Sequence, residues 1–157
     1  MKDFGAFSTD VAAGNLPLLS FVEGLDFHTE HPGYGTRIRD GPTFVREVVD
    51  AVAASPIADK TLVLIPWDEG GGFFDHVSSP PTSTVDNPPY GTRVPRIAVG
   101  PFARKGHMSH VTMEHSSIMR FVERAFLGTT GQLHARAAVV NDIGSMLDPA
   151  RTSLATP

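Results

Sequence analysis

The sequence predicts an α/β fold with a mostly parallel sheet, flanking helices and long loops. The apolar run over 61–67 is typical of a buried strand, and apolar residues at helical spacing over 44–53 precede it. A helix followed closely by a strand favours a parallel α/β layer. Thirteen prolines and fifteen glycines cluster between the periodic segments, which indicates long ordered loops.

The first half of the chain is predicted to contain one strand and one helix before residue 60. The run Leu16–Val22 is predicted to be a strand, with Pro17 near its start, where a missing N–H is tolerated. Residues 23–41 are polar and broken by glycine and proline, so they predict a loop. A helix is predicted to begin at Gly41-Pro42-Thr43 and to end at Ser55-Pro56.

The second half continues the alternation of strand, loop and helix. Its predicted elements are the strand over 61–67, a long loop over 78–92, a strand over 94–99, a helix that Ser116 or Ser117 caps and Gly128 ends, and a short helix over 141–147. A frayed tail is predicted over 151–157.

Composition excludes several classes of function. The net charge is −4 and no cluster of lysine and arginine is present, so nucleic acid is not an expected partner. The chain has no cysteine, which excludes thiolate metal sites, disulfides and cysteine nucleophiles but leaves the cellular compartment undetermined. No window reaches the ~20 apolar residues of a membrane span, and the N-terminus lacks a signal-peptide pattern. The chain as given is therefore expected to be neither exported nor inserted.

The most informative residues are the adjacent carboxylates Asp68 and Glu69, which follow the strand over 61–67 directly. Side chains at the carboxyl edge of a sheet can meet metal, water or substrate, and carboxylates bind divalent cations. Three glycines, 70–72, follow and allow close approach of backbone to a ligand. The alternative interpretation is an ordinary solvated turn. The sequence favours a divalent metal site at Asp68 and Glu69.

Histidines supply further candidates. His31 lies in the glycine-rich loop before the first predicted helix and can donate to a phosphate oxygen or protonate a leaving group, although a loop histidine is often incidental. His76, next to Asp75, is a candidate ligand, phosphate donor or group oriented by a carboxylate, or else a structural histidine. His107, His110 and His115 match no closed zinc template well, so a histidine zinc site is a weak alternative.

Three other residues are candidates by chemistry alone. His115 is predicted to lie near a helix N-terminus, where an anion is favoured and where Glu114 can cap. Arg93 and Arg104 are candidate phosphate clamps, with surface or salt-bridged arginines as the alternative.

Four segments in order resemble motifs of the bacterial phosphoesterase family, which contains non-specific phospholipases C and an acid phosphatase and belongs to the alkaline phosphatase superfamily. They are Glu30-His31-Pro32, Thr61–Val77, Tyr90–Pro95 and Glu114–Glu123. The resemblance extends from about residue 10 to about residue 147 and is to the carboxy-terminal part of the family. It implies that residues 1–150 form a portion of a phosphoesterase domain, a partial alkaline-phosphatase-like sandwich.

The resemblance also implies an activity and roles for residues. It implies metal-dependent cleavage of phosphate esters, of phospholipase C or acid phosphatase class, with Asp68 and Glu69 at the divalent cation and His31 at the phosphate. His76 is implied to lie near the site, and His115 has a structural role at least as readily as a functional one. The substrate is expected to be a phosphate ester or phospholipid, and the full-length protein is expected to be periplasmic or secreted.

One departure limits these expectations. Family members also resemble one another through an amino-terminal half with a Glu-Asn metal motif and a hydroxyl nucleophile, and residues 1–60 match neither. The chain alone is therefore expected to be weakly active or inactive, because a catalytic unit is strongly non-additive. The alternative is a non-catalytic half-domain that a completing N-terminal chain or a second copy finishes. A third alternative, a zinc hydrolase, predicts that His107, His110 and His115 converge.

Overall fold

The computed structural model describes residues 2–24, 28–80 and 82–155. Its main elements are α1 (Phe4–Ala12), α2 (Asp40–Ala53), β1 (Val63–Pro66), β2 (Arg96–Val99) and α3 (Ser116–Val122). A π-helical turn, Glu123–Leu127, continues α3, and short 3-10 helices cover Ala58–Lys60, Ala135–Ala138 and Gly144–Met146. No described helix combines the length and the apolar character needed to cross a bilayer.

The described strands form a two-stranded antiparallel sheet in the order β1-β2. At its end the Trp67 N–H donates to the Pro95 carbonyl oxygen at 3.4 Å. The α/β class is confirmed, but the prediction of a mostly parallel sheet is wrong for these two strands. Parallel neighbours need a crossover that is usually helical, and the connection between β1 and β2 contains no described helix.

The chain divides into two compact units, and the division passes through both strands. Unit 1 ends at Ile65 and includes Val99–Pro101, whereas unit 2 comprises Pro66–Ala98 and the chain from Phe102 onward.

Unit 1 is built from α1 and α2. The Asp3 carboxylate caps α1 by accepting from the Ala6 N–H at 2.7 Å, and the Phe4 and Phe44 rings pack with centroids 5.0 Å apart. Val11 and Val52 are buried with Phe44. The helix predicted from Gly41 is confirmed as α2, which begins at Asp40 and ends at Ala53.

The predicted strand over 16–22 is wrong, and α1 was not predicted. Residues 16–22 are irregular, and Leu18 and Phe21 are 85% and 82% exposed. An apolar run becomes a strand only where another strand pairs with it, and Pro17 removes one donor. The signal for α1 was present in the Asp3 cap and in the helical spacing of Phe4, Phe7 and Val11.

Unit 2 has its buried apolar residues near the carboxy-terminal part of the chain. They are Ala103, Ala137, Ile143 and Leu147. Two backbone hydrogen bonds join residues 102–104 to 146–148, from the Asp148 N–H to the Phe102 oxygen at 2.8 Å and from the Arg104 N–H to the Met146 oxygen at 2.9 Å.

The helices predicted in this unit are confirmed in part. The helix that starts at Ser116 stops at Gly128, whose φ of 66° is the left-handed conformation that glycine adopts without strain. The helix predicted over 141–147 is only the 3-10 helix Gly144–Met146.

Residues 151–155 remain in contact with the rest of unit 2. The Arg124 guanidinium donates to the Leu154 carbonyl oxygen, and the Arg151 N–H donates to the Asp148 oxygen at 2.9 Å. Residues 156–157 of the predicted tail, residues 25–27 of the predicted loop over 23–41, and Pro81 of the predicted loop over 78–92 lie outside the described residues.

Candidate active site

Strand β1 delivers the acidic pair Asp68 and Glu69 to the surface of unit 2, where both residues are exposed. Glu69 Oε2 accepts from the Gly71 N–H at 2.6 Å. Within residues 2–24, 28–80 and 82–155, the Asp68 carboxylate has no hydrogen-bond or ion-pair partner. The Asp68 carboxylate therefore faces solvent near the end of a strand, and the exposed Glu69 beside it is also bonded to its own loop.

The three glycines that follow shape the loop by two different means. Gly71 and Gly72 have φ angles of 64° and 72°, which side-chain-bearing residues rarely adopt. A Cβ added at Gly70 would lie 2.1 Å from Thr92 Oγ1. The close approach at Gly70 is therefore to another part of this chain.

Asp75 and Arg93 form a bidentate ion pair that ties residues 70–77 to the segment before β2. Arg93 Nε donates to Asp75 Oδ2 and Arg93 Nη2 to Asp75 Oδ1, each at 2.8 Å. The Arg93 side chain, helped by the Val77 N–H, holds the pKa of Asp75 well below its usual range. The salt-bridge interpretation of Arg93 is confirmed.

His76 is exposed and lies beside this pair without joining it. Its Nδ1 is 3.8 Å from Asp75 Oδ1, which is too long for a hydrogen bond, and its side chain is 83% exposed. Asp75 therefore orients Arg93 and not His76. The predicted catalytic role of His76 stays a prediction.

His31 belongs to unit 1 and lies in an exposed turn. Its Nδ1 is 2.7 Å from the Pro32 carbonyl oxygen, and its ring stacks on Tyr34 with centroids 4.2 Å apart. Since a carbonyl oxygen only accepts, Nδ1 carries the proton of the neutral ring. The neighbouring Glu30 lies against Gly41 in the first turn of α2. The catalytic role of His31 also stays a prediction.

The zinc alternative is wrong. In the described part of the chain, which includes His107, His110 and His115, no three His, Asp or Glu side chains form a group that could hold a metal ion.

Asp68 and Glu69 fit a divalent cation as a partial ligand set. Their carboxylate oxygens are the hard donors that Mg²⁺ and Ca²⁺ select, and both residues are exposed to solvent. These ions take about six to eight oxygen ligands. Two adjacent carboxylates therefore need further oxygen donors, from water, substrate or other protein residues.

A partly buried polar cluster surrounds Glu114 in unit 2. The Tyr90 hydroxyl donates to Glu114 Oε2 at 2.5 Å, and the pKa of Tyr90 is raised by this contact with the carboxylate. Arg136 pairs with Asp86, its Nε lying 2.9 Å from Oδ1, and its Nη1 lies 3.7 Å from Glu114 Oε1.

No local pattern in the sequence predicted this cluster. Tyr90 and Glu114 stand in two of the motifs that carry the resemblance, but only a capping role was predicted for Glu114. That role is wrong, because the Glu114 side chain accepts from Tyr90 and makes no cap on α3.

Comparison with known proteins gives a family and several relatives. The sequence model of the Phosphoesterase family matches residues 1–127. Non-specific phospholipase C6 of Arabidopsis thaliana is 32% identical, over 93% of this chain and 34% of its own length. Hemolytic phospholipase C of Pseudomonas aeruginosa is 31% identical, over 88% and 22%. Phospholipase C B of Mycobacterium tuberculosis is 29% identical, over 88% and 31%. The chain thus spans about a third or less of the length of these relatives.

Proposed function

Because the chain belongs to the Phosphoesterase family, we propose that it supplies part of an enzyme that hydrolyses phosphate esters. The relatives are named phospholipases C, which supports phospholipids as the substrate class. The observation that carries the proposal is the exposed acidic pair at the end of β1, which lies in a segment that the family model matches.

Asp68 and Glu69 act in this proposal as ligands of a divalent cation. When bound, such a cation withdraws charge from the phosphoryl oxygens and stabilises the charge that develops during hydrolysis. In this proposal water, substrate and a completing chain supply the remaining ligands, and the completing chain supplies the nucleophile and any further strand of a mostly parallel sandwich. Activity of the chain alone is therefore expected to be weak or absent.

The histidines keep the roles that their motifs imply. The Nδ1–H of His31 is directed to the Pro32 carbonyl, so a hydrogen bond to phosphate would be donated by Nε2 in the imidazolium form, in which both ring nitrogens carry a proton. We propose that His31 contacts phosphate through Nε2. His76, with its exposed ring, is the second candidate for proton transfer.

Calorimetric titration of the full chain with Mg²⁺, Ca²⁺ and Zn²⁺ tests the metal site. We expect the wild type to bind at least one of these cations and Asp68→Ala to bind it at least tenfold more weakly, because one of two protein ligands is lost. Asp59→Ala, which removes an exposed carboxylate in unit 1, is the matched control and should bind as the wild type does. Unchanged binding in Asp68→Ala would reject the proposed site.

Hydrolysis assays run in parallel separate the substrate classes. A chromogenic phosphate monoester reports phosphatase activity, and a choline phospholipid reports phospholipase C activity. Any turnover should fall in Asp68→Ala and remain in Asp59→Ala.

A non-catalytic, partner-completed half-domain is the second candidate. Phe73 and Phe74, which follow the glycines, are 66% and 92% exposed, and aromatic side chains of this size are usually covered in a complete domain. This candidate predicts that the chain binds none of the three cations and hydrolyses neither substrate.

A further inference from the structure

His115 makes a contact across unit 2 that the sequence did not predict. Its ring Nε2 lies 2.9 Å from the backbone carbonyl oxygen of Trp67, 48 positions earlier in the chain. A carbonyl oxygen only accepts, so Nε2 carries the proton and donates. Trp67 directly precedes Asp68. The start of α3 is thereby bonded to the peptide group that leads into the acidic pair.

That peptide group decides where Asp68 points. The carbonyl of Trp67 and the N–H of Asp68 belong to one planar unit, so fixing the oxygen fixes the plane from which the Asp68 Cα continues. On its other side the Trp67 N–H donates to the Pro95 oxygen at 3.4 Å, a long and weak bond. Within the described residues the Asp68 carboxylate has no partner of its own to orient it. Its orientation therefore depends on the backbone.

His115 is itself held in place through Glu114. The Glu114 carbonyl oxygen accepts from Arg96 Nη2 at 2.8 Å, and the Glu114 N–H donates to Ser117 Oγ at 2.9 Å. The Glu114 side chain, 12% exposed, accepts from the Tyr90 hydroxyl at 2.5 Å. Both the backbone and the side chain of the residue before His115 are thus anchored to other parts of unit 2.

We propose that His115 is a positioning residue for Asp68 and Glu69. Through its bond to the Trp67 carbonyl it holds the end of β1 so that the two carboxylates are presented together to a divalent cation. This inference rests on the proposed function, because it assigns His115 its role at the proposed metal site. The positioning role also replaces the alternative that His115 binds an anion at the start of α3, because its Nε2–H is directed to the Trp67 carbonyl.

Two variants of His115 and one control variant test its positioning role in the full chain. His115→Ala removes the donor, whereas His115→Gln retains a side-chain N–H at similar reach. His110→Ala is the matched control, because His110 is exposed in the same loop and its side chain makes no hydrogen bond within the described residues.

The first measurement is amide hydrogen exchange followed by residue, which requires no metal. In His115→Ala we expect the hydrogen-bonded amides of Trp67 and Gly71, which flank the acidic pair, to exchange at least tenfold faster than in the wild type, with the interior of α3 unchanged. In His115→Gln the rates should return to within about threefold of the wild type, and His110→Ala should not differ.

The second measurement is the Kd for the cation that the wild type binds, by calorimetry. Loss of a residue that orients a ligand typically weakens metal binding by about 10–100-fold, so we expect a loss in that range for His115→Ala and recovery in His115→Gln. A merely structural role would lower the Tm and speed exchange throughout α3, and the Gln variant would not restore affinity.

The two measurements separate failure of the inference from failure of the proposed function. Wild-type exchange of the Trp67 and Gly71 amides in His115→Ala would overturn the inference. So would wild-type cation affinity in that variant. If the wild type binds no cation, the proposed metal site fails, and with it the metal role that we assign to His115.

Discussion

The acidic residues of the segment 66–77 fall into two kinds, although they lie close together in the chain. Asp75 receives three hydrogen bonds from Arg93 and one from the Val77 N–H, and its side chain is 12% exposed. Asp68 and Glu69 are exposed, and Asp68 has no partner among the described residues. A carboxylate whose oxygens are already occupied stabilises the loop, whereas one whose oxygens face solvent is available to a ligand.

Glu123 is the extreme case of the first kind. It is fully buried, and its two carboxylate oxygens accept from the backbone N–H groups of Gly131 and Leu133. These backbone hydrogen bonds, that of Leu133 above all, lower the pKa of Glu123. The comparison predicts that mutations at Glu123 and Asp75 change stability, while mutation of Asp68 changes ligand binding and leaves stability almost unaffected.

Glu123→Gln should have the largest effect on stability. The amide keeps one acceptor oxygen but turns an NH₂ donor toward a backbone N–H, which leaves a buried donor without a partner. We expect the Tm to fall by roughly 10 °C. Thermal unfolding followed by circular dichroism measures this, with Glu47→Gln, an exposed carboxylate on α2, as the control. Equal Tm values for Glu123→Gln and Glu47→Gln would show that the buried Glu123 carboxylate does not stabilise the fold.

Asp75→Asn should have an intermediate effect that depends on pH. The variant loses the charge that Arg93 pairs with, so at pH 7 we expect a Tm lower by a few degrees, on the order of a third of the Glu123→Gln effect. The pKa of Asp75 is lowered in the folded state, so its contribution is complete above the unfolded pKa, near ~4, and is lost as the pH falls further.

Melting curves at pH 7, 5 and 3 test whether the contribution of Asp75 to stability is lost as the pH falls. The difference in Tm between wild type and Asp75→Asn should be the same at pH 7 and pH 5 and smaller at pH 3. A difference that grows on acidification would mean that Asp75 is protonated in the folded protein and that Arg93 is not its main partner.

The sequence predicted those features that depend on neighbours along the chain. The spacing of apolar residues located α2 and α3, and Gly128 marked the left-handed end of the second of these. The position of Asp68 and Glu69, one residue beyond the end of β1, follows from the same local pattern. Exposure at a strand end can be predicted because it needs no knowledge of distant contacts.

The features that sequence reasoning missed join residues far apart in the chain. Asp75 and Arg93 are separated by 18 positions, Tyr90 and Glu114 by 24, and Trp67 and His115 by 48. No local period encodes such contacts, so a neighbouring carboxylate was only one of several interpretations of His76, and the pairing of Asp75 with Arg93 was not predicted. The antiparallel direction of β2 depends on the path of a long loop and was missed for the same reason.

Asp68→Asn should have the smallest effect on stability, and it is the sharpest test of the comparison. The Asp68 carboxylate is exposed and accepts no hydrogen bond from the described residues, so the neutral amide removes no contact and relieves repulsion with Glu69. We expect a Tm within about 2 °C of the wild type in metal-free buffer. Addition of the cation should raise the Tm of the wild type and not that of Asp68→Asn, because only a ligand that binds the folded state stabilises it. A large fall in Tm without metal would show that Asp68 belongs with Asp75 and Glu123, and that its place at the end of β1 serves the fold.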